Sequence, residues 1–186
     1  ESSAASDVYK RQADGWVTSF MGGGEVEKLG GRVLSADDEL TLCEDPSGGL
    51  FGLMDPEERF VAAGEPGVPV WYELVTTDQA TIDFYGDLFD WEIREEDGYF
   101  LAFEDGAPFL GMYVGEAASW VSYFGVEDLE AACKAVEAHG GTVLVGPGQG
   151  AFGPMAGIAD PNGAQCFIVE VEAPTFEEIS EADSVL

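Results

Sequence analysis

The sequence predicts an α+β fold built from βαβββ units, and three observations carry that prediction. The turn Asp160-Pro161-Asn162-Gly163 precedes a strand-like run, and a near copy, Asp45-Pro46-Ser47-Gly48, precedes another. The segments upstream repeat in the same order. WVTSF (Trp16–Phe20) matches WVSYF (Trp120–Phe124), and LGGRVL (Leu29–Leu34) matches HGGTVL (His139–Leu144). A related segment opening with VWYELVTT (Val70–Thr77) lies between the copies. Repetition on this scale means one supersecondary unit used several times, each too small to cover its own sheet.

The elements follow in chain order. Residues 14–55 read as a partial unit: a strand at Trp16–Phe20, a helix ending in Gly30-Gly31, a strand, the Asp-Pro turn and a final strand. Residues 56–69, with GEPGVP, read as a linker. In the next unit Val70–Thr77 is a β-favouring strand and Asp78 is placed to cap a helix. Ile82, Tyr85 and Phe89, with Phe84 and Leu88, give that helix a broad apolar face. Tyr99–Phe103 and Phe109–Val114 are strands around the turn at Asp105-Gly106.

In the last unit Trp120–Val126 is a strand, and Asp128 caps a helix over Leu129–Ala138 with the stripe Leu129, Ala132, Cys133, Val136. Gly140 supplies its left-handed cap. The glycine-rich stretch Gly146–Gly157 is expected to be a long loop able to act as a lid, or else a plain connection. Its GPGQG run lacks the ending of a phosphate loop. Ile158–Ala159 and Gln165–Val171 are the closing strands. Residues 1–13 are expected to be a disordered or junction segment, and 174–186 an acidic surface tail.

Charge is the extreme feature of the composition. Asp and Glu number 37 against 7 Lys and Arg, a net of −30, while the hydrophobic fraction of 46% supplies an ordinary core. Self-repulsion on that scale is relieved only when salt shortens the Debye length to about 3 Å near 1 M. The composition therefore suits a halophilic, acidic protein of a cytoplasm with concentrated salt, and argues against nucleic acid and anionic membranes as partners. Cys43, Cys133 and Cys166 are odd in number, have no CxxC spacing and read as reduced core residues.

The run WYELVTTDQATIDFYGDLFDWEI, then FLGMYV, then WVSYFGVEDLEAACKAVEAHGGTVL, then ADPNGAQCFIV resembles the vicinal oxygen chelate superfamily of glyoxalase I, bleomycin-resistance proteins and extradiol dioxygenases. The resemblance covers residues 70–173, with 14–55 similar to the second half of a preceding domain, as in tandem glyoxalase-like members. It implies paired βαβββ units forming a curled, U-shaped mixed sheet around a ligand cavity, with helices outside. It also implies a divalent metal held by His, Gln or Glu at matching strand positions. Those positions here are Trp71, Val121, Phe167 and a place within Leu110–Tyr113, with Gly52 the counterpart in the first copy. Indole, isopropyl and phenyl groups offer no lone pair, so no metal and no cofactor is expected. His139, beside Gly140-Gly141 at a helix end, reads as structural.

Strand alternation places Trp71, Glu73 and Val75 toward the cavity, with Val70, Tyr72 and Leu74 on the helix side. By the same rule Val121, Tyr123, Gln165 and Phe167 face inward, and Phe152 stands in the candidate lid. Such a wall suits a small aromatic or cationic organic ligand. Trp71 and Phe167 could equally fill the space as core. Glu73 could instead bond a neighbouring strand or the Tyr123 hydroxyl. Tyr99 and Tyr113 are expected to be strand-packing residues. The expected function is metal-free binding, as in bleomycin-resistance proteins. The alternatives are a glyoxalase-like lyase, isomerase or dioxygenase-related enzyme with Glu73 as acid or base, and an interaction module with a filled cavity. The partial N-terminal unit is expected to pair with its counterpart in a homodimer or to cover an edge of the C-terminal domain.

Overall fold

The computed structural model describes residues 15–55 and 64–172. The N-terminal junction segment, most of the linker and the acidic tail expected from the sequence lie outside them. Two compact units emerge: residues 15–55 with Trp71–Ser122, and residues 64–70 with 123–172.

The first unit begins with β1 (Ser19–Met21), one 3-10 turn (Val26–Leu29), β2 (Arg32–Ala36), β3 (Thr41–Glu44) and β4 (Leu50–Met54). These strands order as β1-β4-β3-β2, with β1 parallel to β4 and the other pairs antiparallel. Then come β5 (Pro69–Thr76), helix α1 (Gln79–Phe89), β6 (Glu92–Glu96), β7 (Tyr99–Glu104) and β8 (Ala107–Val114). They order as β5-β8-β7-β6, with β5 parallel to β8. The tips of both hairpins, Asp97-Gly98 and Asp105-Gly106, take positive φ at both residues (52° and 82°, 50° and 80°), the two-residue turn whose twist matches that of the strands.

Helix α1 starts where the Asp78 side chain accepts from Ala80 N at 2.9 Å, and ends at Asp90 in the left-handed region. Thr81, Ile82, Phe84, Tyr85 and Leu88 are all buried, more than one helical stripe can supply against a single sheet. The reason is a second contact. Phe51 of β4 packs edge-on against Phe84 and Tyr85, and Val26 and Cys43 join the same core as Leu74, Leu110 and Met112. Full burial of a side chain like Phe51 is worth about 1.5–3 kcal/mol. The N-terminal sheet therefore packs on α1 of its own chain.

The second unit holds the last part of β9 (Ser119–Val126), helix α2 (Leu129–Ala138), β10 (Thr142–Gly150), β11 (Gly153–Ala159) and β12 (Gln165–Glu170), ordered β9-β12-β11-β10. Helix α2 has the expected bounds and cap, with Asp128 accepting from Ala131 N at 2.8 Å. It buries one stripe, Leu129 and Cys133, against Ala156 and Ile168. His139 sits at its C-terminal end, Nδ1 2.8 Å from Ala135 O, in keeping with a structural role.

The repeat is carried by matched backbone contacts. Gly31 N donates to Val26 O, and Gly141 N donates to Val136 O. A Cβ at Gly31 would press on Glu44 O, and one at Gly141 on Ala159 O, in each copy the carbonyl just before the turn aspartate. Asp45 Oδ1 accepts from Ser47 N and Gly49 N; Asp160 Oδ1 accepts from Asn162 N and Ala164 N. Each aspartate thus closes its own turn. Register matches too: Ser19 pairs with Gly52, and Tyr123 with Phe167.

Three expectations are corrected. The first copy has one 3-10 turn instead of a longer helix, because Gly24 and Gly30 bracket a segment too short for hydrogen bonds to propagate. Its first strand starts at Ser19, leaving Trp16 and Val17 exposed. The stretch Gly146–Gly157 is mainly a β-hairpin. Gly150 pairs with Gly153, and two register shifts on β10 absorb the extra residues. A side chain at Gly150 would meet that of Met155, which would have to move.

Candidate functional site

In the first unit Leu74 is fully buried with α1, and Tyr72 packs against the same core. The alternate positions of β5, Trp71, Glu73 and Val75, lie half-buried on the opposite face, as alternation requires. Glu73 pairs with Gly111, which pairs with Leu101. One row along, Val75 pairs with Tyr113, which pairs with Tyr99. Tyr99 leans diagonally out of its own row over Gly111, and its hydroxyl donates to Glu73 Oε1 at 2.7 Å. A side chain at 111 would occupy the place of that phenol. The Tyr99 and Tyr113 rings lie nearly parallel, with centroids 6.3 Å apart.

Burial pushes the Tyr99 phenol well above its ordinary range, and the hydrogen bond to Glu73 adds to the rise; the Trp71 indole N–H opposes part of it. Tyr113 is raised by burial and then by the Glu73 charge. Both phenols therefore stay protonated at any physiological pH, and Tyr99 remains a donor to the carboxylate. The face presents one carboxylate framed by an indole and two neutral phenols. Tyr99 is a hydrogen-bond partner of Glu73. Tyr99 and Tyr113, expected to be packing residues, belong to this cluster with Gly111. Val121 is half-buried in the same unit, on the face of β9 opposite Trp120.

In the second unit Tyr123 and Phe167 are register partners whose rings stack at 5.0 Å and 12°. Phe152, at the tip of the β10–β11 hairpin, meets Tyr123 edge-on at 5.4 Å. Tyr123 is buried while Phe152 is 39% exposed. Gln165 pairs with Ala159 and is exposed at the start of β12. Cys166 is buried, with the alternation opposite to Phe167.

A further polar cluster in the first unit is structural. Trp120 Nε1 donates to Tyr85 Oη at 3.0 Å, and Tyr85 Oη donates to Asp45 Oδ2 at 3.0 Å. Asp45 is 3% exposed, and burial raises its pKa against four hydrogen bonds that lower it. Beside it Ser47 Oγ lies 2.7 Å from the hydroxyls of both Thr76 and Thr81. The first-copy turn thus ties the N-terminal sheet to α1 and to Trp120, a task the second copy does not have.

The family's metal positions do not fit a divalent cation here. They hold the indole of Trp71, the isopropyl of Val121, the phenyl of Phe167 and, beside Glu73, the bare Gly111. None has a donor atom suited to a metal. Among the described residues no three His, Cys, Asp or Glu side chains come together. Among the same residues no helix is long and apolar enough to cross a membrane.

A model of the Glyoxalase/Bleomycin resistance protein/Dioxygenase superfamily matches residues 70–166. The chain is 33% identical over 124 residues to the anthracycline biosynthesis protein DauV of Streptomyces sp. (strain C5), and likewise to DnrV of Streptomyces peucetius. Each match covers 53% of this chain and 45% of the relative, so the chain spans about half the length of those relatives. Among solved structures, an extradiol ring-cleaving dioxygenase from B. fuscum aligns over 76% of this chain and 49% of its own, with 16% identity and a TM-score of 0.52. The 2,3-dioxygenase LapB from Pseudomonas sp. KL28 aligns over 82% and 69%, with 16% identity and a TM-score of 0.50. At that identity the likeness is one of fold.

Proposed function

The chain belongs to the Glyoxalase/Bleomycin resistance protein/Dioxygenase superfamily, and from that membership we propose that its first unit binds a small aromatic or cationic organic molecule on the Glu73 face, without a divalent metal. One observation carries the reading: a carboxylate fixed by a 2.7 Å bond from Tyr99 within a frame of aromatic rings. Such a frame stacks on a flat ligand, and the carboxylate pairs with a protonated amine. Two relatives are named for anthracycline biosynthesis, and an anthracycline is a flat aromatic molecule of the class these rings suit. The second unit carries an aromatic cluster of its own, Tyr123, Phe152 and Phe167, with the exposed Gln165 amide as a polar group. The composition keeps this function in a salt-rich cytoplasm, and the working form is a homodimer, to be checked by light scattering in molar KCl.

Fluorescence titration with a cationic aromatic compound tests the binding role. Quenching that saturates in the native protein and is lost in Trp71→Phe supports it; equal quenching in both sinks it.

The same pair favours a second reading, in which Glu73 removes a proton from a bound substrate while Tyr99 holds the carboxylate in place. A turnover that Glu73→Gln abolishes without weakening substrate affinity selects the enzyme; affinity lost with no turnover in either protein selects the binder.

A further inference from the structure

Strand β10 is the outer strand of the second unit, with β11 on one side and, among the described residues, no strand on the other. Residues 140–159, which contain the whole β10–β11 hairpin, include no Asp, Glu, Lys, Arg or His. In a chain with a net charge of −30 this is the longest run free of such side chains. Burial does not account for it, because Leu144 is 49% exposed and Val145 59%.

An open strand edge is a template for another strand, and proteins blunt it with charge or by keeping it short. The other outer strands follow that rule. β6 reads EIREE, β2 begins at Arg32 and β1 has 3 residues. β10 has 9 residues and no charge. Pro147, which has no N–H, ends the usable edge and leaves residues 142–146 open to pairing. Leu144 is the extra residue at the first register shift, between Val143 opposite Ile158 and Val145 opposite Gly157.

We propose that two copies of the chain meet along this edge, β10 of one antiparallel to β10 of the other about a twofold axis, with Leu144 and Val145 of both copies packed across it. The inference rests on the homodimer proposed above and supplies its interface. Two observations name a second copy as the occupant. The N-terminal sheet already packs on α1 of its own chain through Phe51, so a second copy is met elsewhere. A twofold contact sets one patch against itself, so a carboxylate within it faces the carboxylates of the other copy. The edge at 142–146 brings none. A basic partner, the natural complement of so acidic a chain, is drawn to the carboxylate-bearing surfaces instead.

The test combines light scattering in about 2 M KCl, where repulsion between copies is screened, with amide hydrogen exchange at low and high protein concentration. A dimer mass, with exchange at residues 142–146 slowing as concentration rises, supports the edge. Leu144→Glu then raises the dimer dissociation constant at least tenfold. Val33→Glu, which places the same charge at an exposed position of the outer strand β2, leaves it unchanged. A native monomer overturns both this interface and the homodimer itself. A dimer indifferent to Leu144→Glu, or one whose protection falls on another strand, overturns the interface alone and leaves the homodimer standing.

Discussion

Tyr99 meets Glu73 across an empty position: its hydroxyl lies 2.7 Å from Glu73 Oε1, directly over Gly111. One strand separates the partners in hydrogen-bonding order: β8 lies between β7 and β5. A side chain on β8 would normally stand in the way. The missing side chain at 111 is what allows a phenol and a carboxylate two strands apart to bond.

Replacing Gly111 by Ala should therefore displace the Tyr99 ring and break that bond. The expected cost is about 1–3 kcal/mol of stability, from overpacking and a lost charge-assisted hydrogen bond. Affinity for a cationic aromatic ligand should fall with it. Urea unfolding in molar KCl gives the first quantity and calorimetry the second; an unchanged Gly111→Ala protein would remove Gly111 from the account.

The two turn aspartates should respond unequally. Asp45→Ala orphans the buried Tyr85 hydroxyl along with the turn amides, an expected loss of about 2–4 kcal/mol. Asp160→Ala opens only its own turn and should cost about 1 kcal/mol. Denaturant midpoints of the two variants decide; equal losses contradict the tying role of the first copy.

Asp45 also predicts a pH trend. Burial raises its pKa in the folded chain above the ordinary 3.8, so the folded state holds this proton more tightly than the unfolded one. Its contribution to stability is complete below 3.8 and is lost as pH rises through the raised value. The native protein should lose stability relative to Asp45→Asn as pH climbs above about 4. Paired unfolding curves across that range check the sign, and a relative gain would refute it.

Salt should matter more than any single side chain. With a net charge of −30, the unfolding midpoint is expected to rise steeply between about 0.1 and 2 M KCl and then flatten as the Debye length falls to about 3 Å or less. A midpoint insensitive to KCl would mean that the charge is compensated in a way the described residues do not show.

Much of the fold was legible because its signals are local. Asp128, the stripe from Leu129 to Val136 and Gly140 mark α2 from end to end. The doubled turn and the doubled Gly-Gly exposed the repeat. Strand β6, with sequence EIREE, has no apolar alternation to mark it, and β10 is glycine-rich, so both pair for reasons of neighbourhood. The Tyr99–Glu73 bond was illegible for a sharper reason. Counting out from Asp105-Gly106, Glu104 faces Ala107 and Tyr99 would face Met112. An irregularity between Ala102 and Phe103 shifts the register by one, so that Tyr99 faces Tyr113 and joins the Glu73 side. Alternation placed Glu73 on the right face, but nothing in the sequence announced that bulge.

The measurement closest to the central claim is calorimetric titration of a small cationic aromatic compound into chelator-treated protein in molar KCl, alongside Glu73→Gln. The account predicts saturable binding that survives removal of divalent metal and weakens at least tenfold, about 1.4 kcal/mol, without the carboxylate. Binding that returns only when a divalent metal is restored, or that is indifferent to Glu73→Gln, would contradict it.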